Sequence, residues 1–237
     1  MHAMKNIQWV ALLPVLALGC KSMSFGDHPD GSVAVVVDDD ILVNVPEADR
    51  EEIARARSER SEMKDRVAIA ERDVEQGKRQ LDVAEEELEA AEAAVRTAEK
   101  SLVVARDGDE RVRTSEMESA SSRLATARTN LYYARSKVAH DRTHISRLKS
   151  HTDLANMRLE WSEACVELAK AKAVHELDRP EASEISVMEF EARVADREVQ
   201  VAMAEIDTEA WERKVQVRQD ALDVQRANRS DMPERQD

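Results

Sequence analysis

From residue 53 to residue 105 a large aliphatic side chain returns at a spacing of seven: Ile53, Val67, Val74, Leu81, Leu88, Val95, Leu102. Three places after each stands a small residue: Ala56, Ala70, Gly77, Ala84, Ala91, Ala98, Ala105. Only the Arg60 and Met63 repeat breaks the pattern. A seven-residue apolar period kept over this length fits neither a strand nor a compact α/β core. It specifies an α-helix wound left-handed around another helix. The period resumes after Arg106-Asp107-Gly108-Asp109, with Met117, Leu124, Leu131, Val138, Ile145, Leu159 and Val166 as the large line. Its companions are Ala120, Ala127, Ala134, Asp141, Leu148, Ala155, Ser162 and Ala169.

A short turn at Gly108 makes these two helices antiparallel. Large side chains then face small ones when Leu102 is set on Ala120, Val95 on Ala127, Leu88 on Ala134 and Gly77 on Ile145. Alanine lets the backbones approach while the aliphatic opposite fills the gap, so the repeat selects one partner in one register. Asp141 is a polar residue at a seam position, a device that pins register. Lys78, beside Gly77, is its expected partner. A second break at Asp178-Arg179-Pro180-Glu181 precedes a third helix carrying Val187, Val194, Val201, Val215 and Leu222, with Phe190, Ala204 and Trp211 on the companion line. The second helix offers it the stripe Leu154, Trp161 and Leu168.

The expected fold is therefore all-α: an elongated antiparallel coiled coil of three long helices, at residues 47–106, 110–178 and 181–228. The coil as a whole spans 46–229, with a disordered tail at 230–237. Composition agrees, with 3% aromatic residues, 5 glycines, 5 prolines and 35% charged residues. That suits long helices with a narrow seam. A formal charge of −14 leaves no basic footprint for nucleic acid.

Ahead of Pro46 the chain changes character. Two β-branched runs, Val33–Val37 and Ile41–Val45, flank Asp38-Asp39-Asp40, which reads as a short β-like segment over 33–45. A lone hairpin is marginally stable, and the helices have claimed their own apolar stripes, so the segment is expected to pair in trans. Residues 20–32, with Gly26, Pro29 and Gly31 among polar residues, read as a flexible tether.

The N-terminus places Lys5 before an apolar run from Ile7 to Leu18, too short to span a bilayer and of the right length for the core of a signal peptide. The run closes in Leu16-Ala17-Leu18-Gly19-Cys20. This ending resembles the lipobox of bacterial prolipoproteins. The resemblance implies cleavage of the signal peptide 1–19, acylation of Cys20, and a mature protein held on a membrane by its lipid. Lys21, in place of an aspartate after the cysteine, implies the outer membrane. The alanine-spaced hairpin also resembles the periplasmic hairpins of export adaptors and export channels, over residues 60–175.

Chemistry-bearing motifs are sparse: no phosphate-cradling glycine loop, nucleophile elbow, HExxH or CxxC occurs. No catalytic residues and no cofactor are expected. His140, His144 and His151 fall on one helical face at i, i+4 and i+11. The first two have the spacing of a transition-metal pair, while Arg147, on the same face between His144 and His151, carries a charge that opposes a cation. Their other reading is a polar face packed beside the third helix. Cys165 reads as a small apolar residue beside a seam, or else as one half of an intermolecular disulfide. The expected function is that of a non-enzymatic, lipid-anchored spacer or scaffold of the bacterial cell envelope. The expected partners are the membrane, through the lipid, and another envelope protein or a second copy. The alternatives are an accessory subunit of an envelope export or assembly machine, and a metal-binding module built on the histidine face.

Overall fold

The computed structural model describes residues 36–107, 113–177 and 185–230. The chain divides into two units, Met1–Val36 and Val37–Asp237, and the second holds the helices. Its elements are a short 3-10 helix, Asp39–Asn44, and three long helices: α1, Glu47–Asp107; α2, Arg113–His175; and α3, Val187–Ser230. Among the described residues there is no strand, so the unit is all-α. At 1.5 Å per residue, α1 with 61 residues and α2 with 63 each run about 90–95 Å, and α3 with 44 runs about 66 Å.

Each helix begins and ends where its local chemistry suits it. Pro46, which cannot donate a backbone hydrogen bond, sits just ahead of α1, and its carbonyl accepts the Arg50 N–H at 3.1 Å. Glu47 and Asp49 lie at the positive end of α1 and Arg106 at its negative end, while Lys172 and His175 close α2. The helix expected from residue 181 starts instead at Val187. Ser186 presents its carbonyl to the Glu189 N–H at 3.0 Å, and Ile185, outside the helix, is buried in a core cluster.

α2 packs against both α1 and α3 along different stripes. On the α1 side the heptad register is the one the sequence specifies. Val95, Ala98, Leu124 and Ala127 form one buried cluster, edged by Leu102 and Leu131. Further along, a Cβ placed on Gly77 would lie 2.9 Å from Leu148 Cδ1 and 3.3 Å from Ile145 Cγ1. The α1 and α2 backbones come close at Gly77 because it has no side chain.

Outside the seam, Glu99 pairs with Arg128, Glu92 with Arg135 and Glu85 with Arg142, again seven residues apart on each helix. These exposed pairs are each worth about 0–1 kcal/mol, so they select orientation more than they stabilise. α3 runs antiparallel to α2, tied by Arg158–Glu205 and Arg197–Glu160 and by the buried contact of Ser150 Oγ with Thr208 Oγ1 at 3.1 Å. It ends alongside Tyr133, whose ring lies 5.1 Å from the Arg229 guanidinium. Asp141 does not bond Lys78. Its carboxylate takes His140 Nδ1 at 2.8 Å, a neighbour on its own helix, while Lys78 pairs with Glu75 one turn away.

The β-like reading of 33–45 fails for the described part. Residues 39–44 form a 3-10 helix, and the segment packs in cis on the helices. Asp38, expected in a hairpin turn, is an N-cap whose carboxylate accepts the Asp40 N–H at 3.1 Å. The apolar residues turned inward are Val37, Ile41, Leu42 and Val45, a helical spacing, whereas Val43 is exposed. Residues 33–35, the tether, the turn at Gly108, the break at Asp178–Glu181 and the tail from 231 lie outside the described residues; Ser230 belongs to α3.

Candidate functional site

The most elaborately bonded place in the unit is where the chain joins it. Val37 and Val45, 2% and 1% exposed, plug two adjoining clusters. Val37 meets Ala171 and Val174 of α2 together with Ile185 and Phe190. Val45 meets Ile53 of α1 together with Ala169 and Ala173 of α2. One end of the bundle is thus closed by four pieces of chain.

Polar side chains hold the plug through its backbone. Glu167 Oε2 accepts the Val37 N–H at 3.0 Å, and the Lys170 ammonium donates to the Val37 carbonyl at 3.4 Å. Lys170 also pairs with Asp39 Oδ1 at 2.7 Å and Glu167 Oε1 at 3.0 Å. Arg57 of α1 donates to both Asp39 oxygens at 2.9 Å. Arg50 closes the far end, giving Nε to the Val45 carbonyl at 2.8 Å and Nη2 to the Val43 carbonyl at 2.9 Å.

The energetics are uneven across this network. The Lys170 side chain is only 8% exposed, and an ammonium so placed must be paired or it costs several kcal/mol. Asp39 is 63% exposed, so water screens its share. Its carboxyl is nonetheless held below the usual carboxylate range, first by the hydrogen bond from Lys170 and then by the charges of Lys170 and Arg57, against a desolvation effect that pushes the other way. The arrangement fastens the start of the unit to α1 and α2. The sequence reading missed it because Lys170 and Glu167 are ordinary seam-flanking residues by position.

The histidine face is present but does not converge. His140 and His144 stack with ring centroids 6.0 Å apart and planes 9° from parallel. Their nitrogens point elsewhere: His140 Nδ1 to Asp141, and His144 Nε2 to Arg147 Nη2 at 2.7 Å. His151 turns to Glu212 of α3 at 3.4 Å. Among the described residues no three ligand-type side chains gather as a metal would require. In this arrangement Arg147 holds the His144 nitrogen that a cation at the His140–His144 pair would use. Burial, then the Arg147 and His140 charges, push the His144 pKa below its ordinary value, outweighing Asp141. The Arg147 Nε is itself buried without a partner.

An open groove of about 450 Å³ runs alongside, formed by α1 and α2 with Glu212 of α3 at its edge, and lined by Arg66, Asp73, Arg147, His151 and Arg158 among others. Its charges are of both signs, so it selects no ligand class. Cys165 is free and half-buried, and its thiol pKa is raised, first by burial and then by Glu59 and Glu198. A protonated thiol is a poor nucleophile and exchanges disulfides slowly. Cys20 lies outside the described residues. Among those described, no helix is long and apolar enough to cross a membrane.

No family model, no curated protein and no solved structure matches the chain.

Proposed function

We propose that the protein is a non-enzymatic, lipid-anchored coiled-coil spacer or scaffold of the bacterial cell envelope, held by acylated Cys20 on the periplasmic side of the outer membrane. The observation that carries the anchor is the apolar run ending in Gly19-Cys20. The clamp at Val37 supports the mechanical part of the reading. A tethered spacer is pulled at the point where its tether joins it. There the chain is fastened by backbone bonds to Glu167 and Lys170 and by two buried valines. Helices of about 90 Å then carry faces and tips away from that point.

Cellular fractionation of Cys20→Ala, with mass analysis of the mature N-terminus, tests the proposal. The expected result is an acylated wild-type N-terminus at Cys20 and a variant released from membranes. A variant that stays membrane-bound, or a wild type without acyl chains, overturns it.

A further inference from the structure

α3 carries two apolar faces, and α2 covers only one. The covered face buries Phe190, Thr208 and Leu222. On the other side Met188, Val199, Met203, Ile206, Val217 and Val224 are 58–76% exposed. Their successive spacings of eleven, four, three, eleven and seven place them on a single stripe of the helix. Monomeric proteins rarely leave an apolar patch of more than a few hundred Å² in water.

We propose that this outer stripe is a homodimer seam, on which α3 of a second copy packs antiparallel. The size pattern along the stripe is what selects a second copy. A register that sets Met203 on Ile206 of the second copy also sets Val199 on Ala210 and Ala192 on Val217. On either side of the large Met203–Ile206 centre, large meets small, the rule that builds the seam between α1 and α2. In the middle of the stripe the same register brings Asp196 against Arg213, so that interruption becomes a cross-pair, while Glu189 and Asp220 face each other only at the two ends. A parallel pairing would set Asp196 on Asp196 and Arg213 on Arg213, two like-charge contacts inside a seam. Each copy meets the other through the same patch, so the contact closes as a two-fold dimer.

Size fixes the strength. From Met188 to Val224 the stripe runs about 54 Å, and a helix about 10 Å wide offers roughly 540 Å² per copy, or about 1,100 Å² in all. That just clears the roughly 1,000 Å² of a specific interface and belongs to the weaker class. The dimer is therefore concentration-dependent. This inference does not depend on the lipid anchor, although an anchor would raise the local concentration and favour it.

The test is sedimentation equilibrium of the full-length chain in detergent over a concentration series, with circular dichroism to verify folding. The wild type should show a monomer–dimer equilibrium. Ile206→Glu, at an exposed position, should keep the helicity and weaken the dimer at least about tenfold, because a carboxylate would be buried in the seam. Arg213→Asp should also weaken it, and Asp196→Arg with Arg213→Asp should restore it. A wild type that stays monomeric throughout, or a dimer that survives Ile206→Glu, overturns the seam. An Arg213→Asp variant that dimerises like the wild type overturns the antiparallel register.

Discussion

Gly77→Ala sets two physical effects of similar size against each other, and the structure says which wins. Within a helix, alanine is better than glycine by about 1 kcal/mol, because glycine loses more backbone entropy on ordering. The new methyl would lie 2.9 Å from Leu148 Cδ1 and 3.3 Å from Ile145 Cγ1, well inside the roughly 3.5–4.0 Å of a normal carbon–carbon contact. Leu148 must rotate or the helices must part, and overpacking of this kind costs about 1–3 kcal/mol. The variant should therefore lose about 1 kcal/mol net, and melt about 2–4 °C lower for a unit of this size. The sharper readout is a double-mutant cycle. With Leu148→Ala already in place the worst contact is gone, and adding Gly77→Ala should stabilise by up to about 1 kcal/mol. The change of sign corresponds to a coupling of about 2 kcal/mol, within the range for residues in contact. Urea melts followed by circular dichroism would measure all four corners. If Gly77→Ala stabilises the wild-type background, or shifts both backgrounds equally, the close approach at Gly77 does not exist.

Lys170→Met keeps the side chain's bulk but removes the charge, leaving Glu167 half-buried without its cation. We expect a loss of about 1–3 kcal/mol that is local, with amide exchange speeding up from Val37 to Val45 while amides along the α1–α2 seam keep their protection; uniform acceleration would count against a clamp. His144, whose pKa in the folded state lies below its ordinary value of 6.5, binds fewer protons folded than unfolded at mildly acidic pH. Stability from this group is therefore complete above about pH 6.5 and is lost as the pH falls from there toward the folded-state pKa. His144→Gln should flatten that slope in thermal melts between pH 7 and pH 5, and an unchanged slope would remove His144 from the account.

The helical seams were legible because their signal is arithmetic. One period of seven, with the small residue always three places on, fixes helix, partner and register together, and Gly77 landing on Ile145 and Leu148 is its direct consequence. Other contacts depend on directions that a period does not encode. Asp141 had two candidate partners, the distant Lys78 and the adjacent His140, and it took the neighbour whose ring nitrogen already lay beside it. The three histidines share a face as their spacing requires. Their ring nitrogens were then claimed one at a time by Asp141, Arg147 and Glu212, which no face-sharing rule could foresee. The segment before Pro46 misled by composition. Its valines have strand propensity, but the residues that became buried, Val37, Ile41, Leu42 and Val45, repeat with a helical step. Propensity of this sort gives way to tertiary packing.

The reason that segment docks in cis lies in α2 rather than in the segment itself. Along most of its length α2 has one stripe for α1 and another for α3, with polar residues between. In its last two turns the separation disappears. Leu168, Ala169, Ala171, Ala173 and Val174 fall within seven residues and so point to nearly every side of the helix. A helix that is apolar all round needs neighbours all round, and two antiparallel helices cannot surround a third. The gap is filled by Val37 and Val45, and Lys170, caught in the middle of the apolar run, is buried with them. Its charge then needs Asp39 and Glu167 close at hand. At the opposite end, beyond Tyr133, α3 has ended, and α2 presents mainly the stripe for α1, with Ala120, Leu124 and Ala127 buried on it. The number of apolar sides on α2 at each level thus matches the number of neighbours it has there. Counted the same way, α3 has one side more than it has neighbours, and that excess is the stripe assigned to a second copy.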